Sequence, residues 1–466
     1  MKKIFLITVL TLFAWFSSCK KFVEKDQVSP NNPVTAGASQ FLLVSEVATF
    51  ESITTNLDRT ACVLTQQLAG IQFQMQSVAE YDIKEGDNQD DWYTCYDDAL
   101  INIQALIDKA GTANPYYRGI GEVLKAMNLG ITTDVWGDVP DSGALKGASA
   151  TAAAFNPLYE PQQSIYNSIQ ALLTAAIADL SQPSSKNTII PGADDIIHNG
   201  DVSMWLKNAW VLKARYENHL SKKDPSGSAT KALADIASSG MADDTSDMKA
   251  IYSAASNGNV NPWNSFQNER GQYVLMSKPF IDLLNSTSDP RLPFYAAQNP
   301  NGGYTGSPVD PDSADLNASD VGTYMAGVAA PIQMVTYYEA EFIAAEANMR
   351  LGNAGAAAIA YNNAVAASVL SVTGAPISAS FKAAVGNETA NTITLSKIMT
   401  QKYIAMFGNF EVWTDWRRTN IPKLNPCAAG VIPTIPRRFP TPLDERVYDK
   451  NAVVVDDITK PVWWDQ

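Results

Sequence analysis

The chain has 466 residues, 46% of them hydrophobic, and 48 acidic residues outnumber 34 basic ones to give a net charge of -14. That sign argues against nucleic acid as a partner and against docking on anionic lipid through a basic patch. With two histidines and four cysteines, none of the latter at CxxC spacing, no metal or redox centre and no cofactor is expected.

The opening "MKKIFLITVLTLFAWFSSC" reads as an address rather than as structure. Lys2 and Lys3 make a basic start, Ile4 to Phe16 a short apolar run, and small Ser17 and Ser18 precede Cys19. A membrane span needs roughly 20 apolar residues, and this run is shorter. It resembles a bacterial lipoprotein signal, in which residues 1–18 are removed and Cys19 carries the lipids. Residues 19–37 are then the lipidated cysteine and a polar tether with Pro30 and Pro33, and residues 38–466 the folded body. No later stretch is expected to cross a bilayer, so lipid is the only expected hold on the membrane. Cys62, Cys95 and Cys427 remain, an odd number that cannot all pair within one chain. They are expected to be small buried hydrophobes with at most one bridge.

Leu43, Val47, Phe50, Thr54, Leu57, Ala61, Leu64 and Leu68 recur at alternating steps of four and three, the stripe of one helix. A second helix carries Tyr96, Leu100, Ile103 and Ile107, and a third Ile120, Val123, Met127 and Ile131. The third ends at Trp136-Gly137-Asp138-Val139-Pro140, where Gly137 suits the left-handed backbone of a helix stop and Pro140 cannot continue a helix. The same period returns at Ile165 to Leu180, Trp205 to Tyr216, Val335 to Met349, Ile359 to Leu370 and Leu395 to Phe407. Strand-like alternation is scarce. The fold class is mostly α, with stacked helix pairs in a tetratricopeptide-like array and long irregular loops at 71–91, 182–201, 240–270 and 286–330. A turn with Gly352 and Gly355 is expected between two of the helices.

At this point the motifs form a set. "TTDVWGDVP" (132–140), "SDPRLPFY" (288–295), "TYYEAEFIAAEANMRLG" (336–352), "IMTQKYIAMFGNFEVWTDWRRTNIP" (398–422) and "IPRRFPTPLDE" (435–445) occur in one order behind the lipoprotein signal. Together they resemble the SusD/RagB family of outer-membrane nutrient-binding lipoproteins. The resemblance implies a SusD-like fold of tetratricopeptide-like helix pairs, an outer-membrane location at the cell surface, and a SusC-type TonB-dependent transporter as partner. It implies capture of an oligosaccharide or peptide ligand without catalysis. Asp141 departs from the pattern, standing where many relatives carry an aromatic residue.

The residues themselves offer little for catalysis. His198 and His219 belong to no H-E-x-x-H arrangement, and no G-x-S-x-G elbow or phosphate-binding loop is present. His219 is expected to be a half-exposed packing residue, and Arg417, Arg418 and Asp415, beside Trp413 and Trp416, a structural knot. Asp310, Asp312, Asp315 and Asp320 lack EF-hand spacing. Binding has better material, because sugar rings stack on aromatic faces and their hydroxyls, like peptide groups, pair with amides. Two segments combine both: one with Gln72, Phe73, Gln74, Tyr81, Trp92 and Tyr93, the other with Trp263, Asn264 and Phe266. These are the expected ligand surface, with Tyr304 and Tyr324 as lesser candidates; the alternative is that such aromatics merely anchor long loops. At the level of function, the rivals are a helical-repeat scaffold that binds a protein and an α-helical glycan hydrolase.

Overall fold

The structure, a computed structural model, describes residues 37–54, 56–146, 151, 155–255 and 259–466. The expected signal, Cys19 and the tether up to residue 36 lie outside them.

The main helices of the first half are α1 (Ala38–Thr54), α2 (Asn56–Leu64), α3 (Phe73–Ala79), α4 (Ile101–Ala110), α5 (Pro115–Trp136), α6 (Gln162–Leu180), α7 (Val202–His219) and α8 (Pro225–Ser239). After them come α9 (Pro262–Glu269), α10 (Lys278–Ser286), α11 (Tyr337–Arg350), α12 (Ala354–Thr373), α13 (Leu395–Ala405) and α14 (Glu411–Thr419). Consecutive helices α5 to α8 pack side by side, α8 packs on α11, and α11 on both α12 and α13, so one array runs through the molecule. Each member buries its apolar stripe only against its neighbours. The few strands are short. Leu68–Gly70 (β1) pairs antiparallel with Val274–Met276 (β2), in register Leu68 with Met276 and Gly70 with Val274.

Why α5 is long and where it stops follow from its sequence. Pro115 occupies the first turn, where its missing N–H costs nothing. Gly130 lets α7 approach, since a Cβ there would fall 2.2 Å from the Tyr216 hydroxyl. The helix ends at Gly137 with φ +85°, and the Thr133 hydroxyl donates to the Gly137 carbonyl at 2.6 Å. The chain beyond is then pinned. Asp138 accepts the Gln162 N–H at 2.9 Å, and the Tyr96 hydroxyl donates to the Pro140 carbonyl at 2.6 Å. Trp136 is buried, and Arg438 donates to its carbonyl. The Trp-Gly-Asp-Val-Pro stretch is a helix stop and an anchor for the loop that follows.

The expected helix over 43–68 differs in two ways. It is divided between α1 and α2, and Leu43 and Val47 of its apolar stripe are exposed. The buried face of α1 lies one residue over, at Leu42, Ser45, Glu46, Thr49 and Ser52. Two of those polar groups find a partner on α5: Ser52 donates to Asn128 Oδ1 at 2.5 Å, and Asn128 Nδ2 donates to the Thr49 hydroxyl at 3.0 Å. Gly352 sits in the expected turn with φ +77°, whereas Gly355 falls inside α12. The 20-residue α12 corrects a second expectation, since its mean hydropathy of 1.3 is high enough for a membrane span. Half of that window is buried, and the helix packs on α11 and α13, as a core helix does. Cys62, Cys95 and Cys427 are all free and buried, so no bridge forms among them.

Candidate ligand-binding site

The two segments marked out in the sequence line one hollow of about 330 Å³. The β1–β2 ladder brings them together, because one segment leaves β1 and the other enters β2. The Ile71 N–H extends the ladder by donating to the Tyr273 carbonyl at 2.8 Å. Gln74, Asp82, Asp87 and Asn88 reach the hollow from the first segment, and Phe266 and Arg270 from the second. Asn261 starts α9 as its cap, accepting from the N–H groups of Trp263 at 2.7 Å and Asn264 at 3.3 Å, with Pro262 following. That cap sets Phe266 one turn along, on the face that meets the hollow.

A third contributor comes from outside both segments. Arg59 of α2 lines the hollow with its guanidinium carbon 4.3 Å from the centre of the Phe266 ring and 5.9 Å from that of Trp263. The guanidinium of Arg270 lies 5.7 Å from the same Phe266 ring. Arg59 is 9% exposed, and its Nε is buried without a hydrogen-bond partner. Burial lowers Arg59 to about 10, while the charges of Asp91 and Asp58 oppose that shift, so the group stays protonated at neutral pH. Asp91, also on the hollow, accepts from Asn56 Nδ2 at 2.8 Å. Burial pushes its carboxyl up to about 6 against that hydrogen bond and the nearby Arg59 charge. The only sequence signal for this contribution is the Asp58-Arg59 pair, a charged interruption inside an otherwise apolar helical stripe.

Among the expected site residues, Gln74 and Phe266 line the hollow. Phe73 stands next to it, 64% exposed, with φ +53° and its ring stacked on Tyr273 at 4.8 Å between centroids. A left-handed backbone is costly for an aromatic residue, and at this position it holds a ring out to solvent. Tyr273 in turn meets Phe266 edge-on at 6.0 Å. Gln72 caps α3 by position, without a side-chain hydrogen bond to it.

The remaining residues sit elsewhere. Trp263 is wholly buried with its indole N–H unpartnered, and Trp92 is buried edge-on to Trp136 at 5.0 Å. Neither offers a face to solvent. Tyr81 is buried, its hydroxyl accepting the Cys427 N–H at 2.8 Å. Tyr93 is part-exposed and donates to Asp444. Asn264 donates from Nδ2 to the Ala326 carbonyl at 2.8 Å. Tyr304 is half-buried against the core, and Tyr324 packs edge-on to Tyr295 at 5.3 Å.

The other charged clusters are structural in their contacts. His219 is buried rather than half-exposed: its Nε2 lies 2.9 Å from Glu411 and its Nδ1 3.4 Å from Asp134. The stripe of α7 placed it at the helix end, and the partners that draw it inward come from α14 and α5. His198 is buried with Nε2 2.6 Å from Asn208 Oδ1. Arg417 stacks 3.9 Å over Trp413, and Arg418 pairs with Glu346 and Asp415, which makes the expected knot. Asp310 caps a turn by accepting the Asp312 N–H at 3.1 Å, and among the described residues no three metal-ligating groups converge.

A side-by-side array of helices with a loop-lined hollow, where a buried guanidinium sits among amides, carboxylates and aromatic rings, defines a helical-array binding protein. The chain belongs to the SusD-like family: the family described as "starch-binding associating with outer membrane" matches residues 30–442. This is a nutrient-binding family associated with the outer membrane, made of binding proteins rather than enzymes. A chitin-binding protein shares 24% identity at a TM-score of 0.77, the match covering 92% of this chain and 100% of that one. A chitin-binding SusD homolog from Flavobacterium johnsoniae shares 21% at 0.76, covering 92% and 98%. A SusD/RagB family protein from Bacteroides thetaiotaomicron shares 22% at 0.73, covering 92% and 99%. At these identities the likeness speaks for the fold. Among curated proteins none matches the chain.

Proposed function

We propose that this chain binds an oligosaccharide or peptide nutrient in the hollow between the 71–91 and 259–273 segments and delivers it to a SusC-type TonB-dependent transporter. Residues 1–18 serve as signal, Cys19 carries the lipid at the outer membrane and cell surface, residues 19–37 form the tether, and 38–466 act as one non-catalytic binding domain. The observation that carries the reading is the shared hollow itself, with Phe73 exposed beside it and Gln74, Phe266, Arg59 and Arg270 around it. An exposed ring next to amide and guanidinium donors suits a ligand with apolar faces and polar edges. Trp263, buried beside Arg59, backs the wall there.

The test is a glycan and peptide array probed with the mature chain from Lys20 onward, followed by calorimetry on the hits. Phe73→Ala is expected to weaken binding at least severalfold at an unchanged melting temperature, because that ring is mostly exposed. Retention of full affinity by Phe73→Ala and Gln74→Ala together would remove this hollow from the site. The anchor is tested separately: Cys19→Ser should move the protein from the membrane fraction to the soluble one, and the native form should co-purify with the transporter.

A further inference from the structure

The hollow is lined by a buried cation, Arg59, one of whose donors finds no partner among the described residues. Arg59 is more than nine-tenths buried, its Nε has no hydrogen-bond acceptor among the described residues, and Asp58 and Asp91 act on it through charge. Burying a guanidinium with an unmet donor is costly, and the cost is offset when an acceptor arrives with matching fork geometry. Arg270 points the same way. It lies over the same Phe266 ring, and among the described residues its ion pair is the exposed contact with its neighbour Glu269 at 3.3 Å. Both guanidinium groups lie over the Phe266 ring, at 4.3 and 5.7 Å from its centre, and both line the hollow. Arginine is the residue suited to a planar anion, because it binds a carboxylate through two parallel hydrogen bonds and stacks on an aromatic face at once.

The lining also carries the opposite sign. Asp82, Asp87, Asp90 and Asp91 all line the hollow, with Lys84 paired to Asp82 at 3.0 Å as partial compensation. A polyanion would meet these carboxylates along its length. A ligand with a single terminal carboxylate and a neutral or cationic remainder would not.

We infer that the hollow recognises the terminal carboxylate of its ligand, held by Arg59 with Arg270 beside it, and that it rejects polyanions. The inference deepens the proposed binding role and rests on it. Two sources carry that chemistry: the free C-terminus of a short peptide and a single uronate at the end of an oligosaccharide.

The experiment uses paired probes on the mature chain. Trialanine is compared with its C-terminal amide, cellobiuronic acid with cellobiose, and tetragalacturonate serves as the polyanion. The carboxylate member of at least one pair is expected to bind about tenfold or more tightly than its neutral partner. Arg59→Gln should abolish that preference, and tetragalacturonate should bind more weakly than the preferred probe. Preference in the first pair alone names a peptide terminus, and preference in the second alone names a uronate; either supports the inference. Arg270→Gln, at an exposed side chain, provides a second variant that keeps the fold, and it should reduce the preference in part. Equal binding within both pairs, or a preference untouched by both substitutions, overturns the carboxylate site. A neutral glycan that binds in a Phe73-dependent way would then leave the broader reading standing, whereas no binding by any array member would sink that reading itself.

Discussion

Arg418 donates to both carboxylate oxygens of Glu346, at 2.7 and 2.9 Å, with both side chains wholly buried. The pair joins α14 to α11, and Asp415 and Lys402 extend it at 2.5 and 2.7 Å. Burial opposes the charge on Glu346, yet Arg418 and its neighbours hold that carboxyl well below the usual range. Arg418→Met leaves Glu346 and Asp415 as buried charges short of a partner. Such a change costs about 3–5 kcal/mol, read as a lower urea midpoint at unchanged slope.

His219 makes stability depend on alkaline pH. Burial alone would lower its pKa, but Glu411 and Asp134 outweigh that and lift it to about 9 from an ordinary 6.5. The folded state therefore holds a proton that the unfolded chain releases sooner. The stabilisation is fully present below about 6.5 and is lost as pH rises through about 9. The thermal midpoint should fall across that window, and His219→Gln should flatten the fall. An equally steep fall in the variant would assign the effect to other groups.

Gly137 takes a backbone conformation that side chains avoid, at φ +85°, and a Cβ there would lie 3.2 Å from the Arg438 guanidinium. Gly137→Val should cost roughly 1 kcal/mol or more, because a β-branched residue at positive φ is strained in any surroundings. An unchanged unfolding midpoint would mean that the helix stop does not depend on glycine.

Trp92→Ala and Trp263→Ala are stability variants before they are binding variants. Both indoles are buried, and truncating such a ring leaves a cavity at a cost of about 3–5 kcal/mol. The expected placement of both rings on the ligand surface implies the opposite, a loss of affinity with little change in melting temperature. Chemical denaturation of the two variants decides between them.

Most helices were legible because a period of 3.6 survives without knowledge of the neighbours. Ile120, Val123, Met127 and Ile131 are all buried, as are Trp205, Ala209, Leu212 and Tyr216. The stripe failed at α1, whose buried face carries Ser45, Thr49 and Ser52 and leaves Leu43 and Val47 outside. A polar face is buried only when another element meets its hydrogen bonds, and Asn128 lies on a helix about eighty positions away. The same limit applies to the site. Aromatic type drew attention to two segments that share a hollow, but whether a ring faces solvent depends on packing. Phe73 and Trp263 look alike in sequence and end at 64% and 0% exposure.

By itself the sequence determined the helix stripes, the stop at Trp136-Gly137 and the ordered motifs that mark the SusD-like family, because each depends on residues close together along the chain. Tertiary structure alone decided which aromatic rings stay in water, and it alone set the Arg59 guanidinium over Phe266, from positions 59 and 266. Those outcomes depend on the β1–β2 pairing and on desolvation, which belong to surfaces brought together in space and leave no period in the chain.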